Sequence, residues 1–424
     1  MNKRLFGLSY ATDRVIRDET LAEKSIWWFL SIVFAPERTN QLSLLPNKDL
    51  VDLCPPIESY QVTKNLTDYC LLFTGRLRRA FGNTEKSFPH PTPMLNNQRY
   101  SPVSVICLGE ILYDLIADQS DRAIEQVTSW TTYAGGAPAN VACGLRKLGI
   151  NSAFIGCVGK DQPGEQLIAL LDALGVDTTG VQYHATLPTR QVYVTRDAGG
   201  DRHFVGFGGR KTTDFADTAL NADLLPENLF KNADYLVMGT LGLAYPPARA
   251  AMMRALELAK IYAVKVLIDI NWRPVFWPNL EAAPDIIRDF IAQADLLKCS
   301  EEEAAWLFGT DTPREISSQY PNLGAILVTG GAKGCKYHLG ENSGTVKAFP
   351  GEVVDTTGAG DGFVAGFLAR AGLVGDKIEE NADLARKAVI YACGVGAMVT
   401  RGAGAIASQP TRQQLEEFLA AFDS

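Results

Sequence analysis

From Val103 onward, short apolar runs rich in β-branched residues alternate with longer stretches of helical period, an order that few architectures accept. Each run reads as a strand, and each stretch between as the crossover that lets the next strand lie parallel. The runs are 103–108, 153–158, 235–238, 265–270, 296–298 and 325–329, and the helical patterns cover 137–147, 164–174, 247–262, 363–371 and 382–399. Near-continuous apolar strands such as Val266-Leu267-Ile268 suit a sheet covered on both faces, because a strand with one wet face alternates instead. The expected fold is therefore α/β, a central mostly parallel sheet flanked by helices. Two stretches, 113–133 and 190–207, break the alternation. The second has two alternating arms around Ala198-Gly199-Gly200-Asp201, a hairpin pattern. Together they predict a small β-sheet lid, from about 112–135 and 188–210, over the carboxyl ends of the main strands.

Residues 1–100 differ in kind. They hold 13 Lys+Arg against 10 Asp+Glu, and only Gly7, Gly75 and Gly82 of the 38 glycines, while the whole chain carries a net charge of −8. No sustained period runs through them, and Pro46, Pro55, Pro56, Pro89, Pro91 and Pro93 interrupt them. They read as an N-terminal extension without its own core, ahead of a body at 101–424. Met94, after Ser87-Phe88-Pro89-His90-Pro91-Thr92-Pro93, is a candidate start; an extension with a role of its own is the other reading. The acidic body disfavours nucleic acid, whose binding needs clustered Lys and Arg. The apolar run at 25–35 is about half the roughly 20 residues that a membrane helix needs. Eight cysteines include no CxxC pair, and several sit in apolar runs as buried thiols would, which points to a reducing, cytoplasmic setting.

Chemistry concentrates in Asp355-Thr356-Thr357-Gly358-Ala359-Gly360-Asp361. Glycines just before an apolar helix let the backbone curl so that amides at the helix start converge on one place, which suits an anion. Asp361 there is unfavourable beside a phosphate unless it has a chemical duty such as taking a hydroxyl proton. Taken alone, the run better fits a capped helix start with a solvated aspartate. Gly135 and Gly136 let backbone lie close to a ligand, and Asn140, one turn into the next helix, can donate to and accept from hydroxyls. Asp114, soon after the first strand, can accept two vicinal hydroxyls. Arg273, in Asp269-Ile270-Asn271-Trp272-Arg273 at the end of an apolar strand, offers a planar five-donor fork to phosphate.

The run ending at Asp361, taken with Tyr133-Ala134-Gly135-Gly136-Ala137-Pro138-Ala139-Asn140, resembles the two signatures of the ribokinase/PfkB carbohydrate kinase family, and the likeness covers 103–421. The resemblance implies a ribokinase-like core with a β lid, Asp361 as general base, and amides of Gly358, Ala359 and Gly360 as an anion hole. It implies sugar contacts at Asp114, Gly135, Gly136 and Asn140. Ser300-Glu301-Glu302-Glu303 stands at the family's NxxE motif, with Ser300 in place of asparagine, and Glu303 then helps to hold Mg²⁺ through water. Thr329, Gly331, Lys333 and Gly334 match its nucleotide loop. Gly402 and Gly404 match the loop beside adenine, and Asp355 and Thr357 match residues that in many members hold a monovalent cation such as K⁺.

Asp269-Ile270-Asn271-Trp272-Arg273 and Trp277-Pro278 make the likeness strongest to fructokinase-like members. The expected activity is ATP-dependent phosphorylation of D-fructose to fructose 6-phosphate. Alternatives are a kinase for 2-keto-3-deoxygluconate or ribose, or a catalytically weak fructokinase-like regulatory protein. ATP and a small sugar are the expected partners, and exposed lid edges leave a homodimer open.

Overall fold

The computed structural model describes residues 104–197, 202–375 and 377–422, so the extension and the expected hairpin centre at 198–201 lie outside the described residues. The main sheet contains β1 (Ser104–Leu108), β4 (Asn151–Gly159), β5 (Asp177–His184), β8 (Tyr235–Met238), β9 (Lys265–Asp269), β10 (Leu296–Ser300), β11 (Ala325–Thr329), β12 (Cys335–Leu339) and β13 (Asn342–Val346). Its order is β13-β12-β11-β10-β9-β8-β1-β4-β5. Pairing is parallel from β11 through to β5, and β12 and β13 add an antiparallel hairpin at one edge. The chain leaves β1 toward β4 on one side and later fills β8 on the other. That makes β1 the place where strand order reverses, and a crevice opens at such a place over the carboxyl ends of the strands.

Strand side chains alternate between two helical layers. Val105 and Cys107 of β1 pack with α1 (Ala137–Lys147), α2 (Gln162–Ala173), α7 (Ala359–Val374), α8 (Ala382–Val399) and α9 (Arg412–Ala420). Ile106 and Leu108 face α3 (Pro246–Tyr262), α4 (Ala283–Ile291), α5 (Glu301–Phe308) and α6 (Pro313–Gln319). Burial on both faces explains why these strands are apolar without interruption.

A second sheet has the order β3-β2-β6-β7, with β2 (Leu112–Ala117), β3 (Trp130–Gly135), β6 (Gln191–Arg196) and β7 (Arg202–Gly206). It matches the expected lid segments. β6 lies parallel to β2 and antiparallel to β7, so the hairpin expected in 190–207 is present.

The helix expected at 363–371 begins earlier, at Ala359. Gly358, at φ +80°, is its N-cap, and this left-handed residue turns the chain straight into the helix. Asp361 therefore sits inside the first turn. α7 and α8 approach closely at Gly366, where a Cβ would stand 2.7 Å from Val395 Cγ2 and 3.0 Å from Ala392 Cα. Alanine there gains about 1 kcal/mol of helix propensity, and overpacking costs about 1–3 kcal/mol. Gly366→Ala is expected to lower the denaturant midpoint; a raised midpoint would show that the two helices can separate without cost.

Candidate functional site

Asp361 is buried at the start of α7, where the first-turn amides cannot pair within the helix. Its Oδ2 accepts from Asn140 Nδ2 at 2.7 Å, and Asn140, also buried, keeps Oδ1 without a protein partner. An unpaired buried carbonyl oxygen is costly unless something donates to it, and a ligand hydroxyl would. Burial raises the Asp361 pKa above its ordinary value, against the lowering effects of the Asn140 hydrogen bond and the charges of Lys298 and Arg273.

Lys298 and Asp269 form a buried ion pair beside this helix start, with Nζ 3.0 Å from both carboxylate oxygens. A Cβ on Gly360 would stand 2.9 Å from Lys298 Nζ, so glycine is what lets the ammonium reach the first turn. Burial works against the lysine's charge, but the Asp269, Glu303 and Asp361 carboxylates hold its pKa above the ordinary value. Burial pushes Asp269 up to about 6, against the Lys298 charge, which leaves the pair ionised at neutral pH. A cation at a helix N-terminus opposes the helix dipole, so both features favour an anion at one spot.

The glycine pair joins the lid to α1. Gly136 is the N-cap of α1 at φ +106°, and a Cβ there would come within 2.5 Å of the Glu110 carbonyl oxygen. A Cβ on Gly135 would stand 2.9 Å from Asp114 Oδ2, so Asp114, on β2, lies against this backbone. Glu110 Oε1 accepts from Ala137 N at 3.0 Å, closing the first turn of the helix that carries Asn140. Burial pushes the Glu110 carboxyl up to about 7.

Beyond β9, Asn271 takes a left-handed φ of +41° and turns the chain, and Trp272 N donates to Glu303 Oε1 at 2.6 Å. The other Glu303 oxygen accepts from Ser300 N at 2.7 Å, while Ser300 Oγ accepts from Glu303 N at 3.1 Å. Serine thus completes a capping box on α5. Arg273 is exposed and donates to the Trp272 carbonyl, and its charge is felt at Asp361. Among the described residues, no three His, Cys, Asp or Glu side chains gather as a metal cage. With both Glu303 oxygens already accepting from backbone, the residues fit a divalent cation that arrives on a polyphosphate and meets the protein through water.

A cavity of about 650 Å³ adjoins the helix start, lined by Thr329, Gly331, Gly334, Ala359, Gly360 and Thr400 among others. Lys333 is absent from its wall and pairs with Glu301 at 2.5 Å, with its side chain largely exposed. Gly402 and Gly404 do not line the cavity either. Gly404 N donates to Asp355 Oδ2 at 3.2 Å, and Asp355 Oδ1 accepts from the Thr357 amide and hydroxyl at 3.0 and 2.8 Å. These contacts tie the segment before Gly358 to the loop after α8. The helix start thus lines the cavity through Ala359 and Gly360 and meets Asn140 through Asp361.

The pfkB family carbohydrate kinase profile matches residues 103–412. The chain belongs to this family. It is a sugar kinase, a phosphotransferase acting on an alcohol group. The chain is 34% identical over 318 residues to probable fructokinase-5 of Arabidopsis thaliana, covering 74% of this chain and 97% of that protein. It is 34% identical over 315 residues to fructokinase-2 of Solanum lycopersicum, covering 73% and 94%. Among solved structures, a fructokinase with bound ATP from Xylella fastidiosa matches at a TM-score of 0.69 and 25% identity, covering 76% of this chain and 99% of that one. A fructokinase from Vibrio cholerae O395 in fructose, ADP and calcium ion bound form matches at 0.64 and 28%, covering 75% and 99%.

Two buried residues of this candidate site, Lys298 and Glu110, were given no role by the motifs, and Asp269 was read only as the first residue of the run to Arg273. A lysine inside Leu296-Leu297-Lys298-Cys299 was the available signal, since apolar strands rarely bury a charge. Glu110 also generates a test. Its folded pKa lies above its unfolded value, so its protonated form favours folding below about pH 4.5, and that contribution is lost as pH rises to about 7. Glu110→Gln keeps an acceptor for Ala137 N without the charge. Relative to wild type, the variant is expected to gain about 1–3 kcal/mol of stability between pH 5 and pH 8, measured by denaturant unfolding. An equal difference at both pH values would remove Glu110 as the source.

Proposed function

We propose that this kinase transfers the γ-phosphoryl group of ATP to the 6-hydroxyl of D-fructose, with Asp361 as general base. The observation that carries the reading is the buried pair of Asn140 and Asp361. The side-chain oxygen of Asn140 lacks a donor, and the carboxylate beside it can take a proton. The sugar would lie on the Asn140 side, its hydroxyls on Asp114, Asn140 and the backbone at Gly135 and Gly136. ATP would occupy the cavity at Thr329, Gly331 and Gly334, with Lys333, Gly402 and Gly404 at its margin.

Asp361 takes the hydroxyl proton, the oxygen attacks the γ-phosphorus, and ADP departs on the cavity side. Charge that develops on the transferring group would meet the amides of Gly358 and Gly360, the Ala359 amide on release from the Thr356 carbonyl it bonds at 3.2 Å, the Lys298 ammonium and the Arg273 guanidinium. Magnesium, when bound with ATP, offsets phosphate charge, and Glu303 would meet it through water. Asp355 and Thr357 would supply the charge and hydroxyl of a monovalent cation loop. The body at 101–424 is then the kinase domain and the second sheet its lid. Fructose is favoured by the names of the relatives and by the run from Asp269 to Arg273. The family scaffold itself serves several sugars, as an aminoimidazole riboside kinase from Salmonella enterica at a TM-score of 0.60 illustrates. The six described cysteines are free and buried, which supports a cytoplasmic setting. Among the described residues no helix is long and apolar enough to cross a membrane.

A coupled ADP-release assay over fructose, ribose, 2-keto-3-deoxygluconate and adenosine is expected to give the highest kcat/KM with fructose. A higher value for another acceptor would overturn the sugar assignment. Asp361→Asn is expected to lower kcat by about a thousandfold with ATP binding retained; an active variant would remove Asp361 as base.

Lys298 lowers the Asp361 pKa, so deleting its charge should let that pKa rise and leave the base protonated to higher pH. Lys298→Met removes this charge alone and leaves Asp269, whose carboxyl already sits at about 6, able to take a proton. The acid limb of the variant's kcat profile is expected at higher pH than in wild type, and an unmoved limb would detach Lys298 from Asp361.

A further inference from the structure

Arg190 is a fully buried arginine at the foot of the lid, just before β6, and the chemistry above does not use it. Its Nε and Nη2 donate to the two oxygens of Asp217 at 2.7 and 3.0 Å, and Nη2 also donates to the Thr212 carbonyl at 3.0 Å. The guanidinium carbon stands 4.6–5.6 Å from the ring centroids of Phe207, Phe215, Tyr245 and Phe276. Tyr245, the N-cap of α3, lies within 3.5 Å of Nη2 and donates its hydroxyl to the Phe276 carbonyl at 2.8 Å. Phe276 in turn closes the 3-10 turn that begins at Arg273, through Phe276 N and the Arg273 carbonyl at 3.1 Å. On the other side, the Arg190 carbonyl accepts from Tyr113 N at 3.1 Å, next to Asp114 on β2.

A continuous set of short contacts therefore joins the strand bearing Asp114 to the turn bearing Arg273. A buried ion pair is a poor way to gain stability, since apolar side chains of the same volume often do as well or better. What an apolar side chain cannot do is fix direction. The guanidinium is a rigid plane whose donors reach the Thr212 segment, the 3-10 turn at Ala216–Ala219 and the start of α3 together.

We propose that Arg190 is a positioning residue of this kinase, which holds the lid strand carrying Asp114 and the turn carrying Arg273 at one spacing. The proposal rests on the reading of Asp114 and Arg273 as substrate contacts. Loss of the hub lets the two contacts drift, which weakens sugar capture while the cavity at Thr329, Gly331 and Gly334, remote from the hub in the chain, keeps its shape.

The test uses the full-length protein with D-fructose and ATP, and compares wild type, Arg190→Met, Arg190→Lys and Asp217→Asn. Arg190→Met fills the site without directional donors, and lysine keeps charge without the fork. The expected result is a rise of about tenfold or more in KM for fructose in Arg190→Met and Asp217→Asn, with KM for ATP within about twofold of wild type and partial rescue by lysine. Hydrogen exchange on the ligand-free proteins gives a readout independent of turnover. Exchange is expected to quicken together in peptides covering 112–117 and 272–277, and to stay unchanged over 325–329. Should a variant fail to fold, the exchange comparison of the remaining two decides. Equal KM values for fructose, or quickened exchange in only one of the two segments, overturns the proposal. Joint quickening in the variants, in a protein whose wild type phosphorylates no sugar, would instead sink the reading of Asp114 and Arg273 as substrate contacts and leave the mechanical link standing.

Discussion

A carboxylate removed from water keeps its charge more readily where its surroundings return part of the lost hydration. For Asp361, whose pKa burial still raises, the Asn140 hydrogen bond is the largest such return, and the architecture around the pair follows from keeping them in register. Asn140 needs α1 to begin one turn earlier, which the left-handed Gly136 permits and the Glu110 carboxyl closes. Asp361 needs α7 to begin at Ala359, which the left-handed Gly358 permits. The two helices share one layer of the sandwich, so any change in their packing is felt at the hydrogen bond.

Charge is managed in two distinct ways within one domain. The pair of Asp269 and Lys298 stands next to the helix start and sets the local field. The pair of Arg190 and Asp217 stands in the opposite layer among aromatic rings and sets geometry. Neither is an efficient source of stability. Each occupies a place where a hydrophobic residue would pack but could not do the same task, which is why both interrupt otherwise apolar surroundings.

Legibility in the sequence followed burial. β8 and β11 match their expected limits because both faces are covered, and a run such as Tyr235-Leu236-Val237-Met238 has no polar break. β5 was missed because Asp177-Thr178-Thr179-Gly180 keeps one side wet at the sheet edge. The hairpin of β12 and β13 was missed for the same reason, with Lys336, His338, Ser343 and Thr345 on its open face. Glycine hid the true start of α7, since Gly358 and Gly360 are poor helix formers whose use here is clearance. In the site, contiguous motifs could be read and isolated partners could not. Nothing around Arg190 or Glu110 marks them, because their roles come from what the fold brings to them. Ser300 shows the reverse: its departure from the usual asparagine is met by a capping box that only the coordinates reveal.

The contact between Asn140 and Asp361 spans 221 residues of chain. At about 5–20 residues per second, a ribosome releases the second partner about 10–45 s after the first. When that interval begins, β1, β2, β3 and the start of α1 have been made, but α7 and α8, which complete the layer over β1, have not. The nascent chain thus presents a sheet face only partly covered, by α1 and α2, for much of its synthesis, and a product truncated before α7 exposes the rest of that face while lacking Asp361. Quality control that recognises exposed apolar surface can therefore discard incomplete copies without any test of activity.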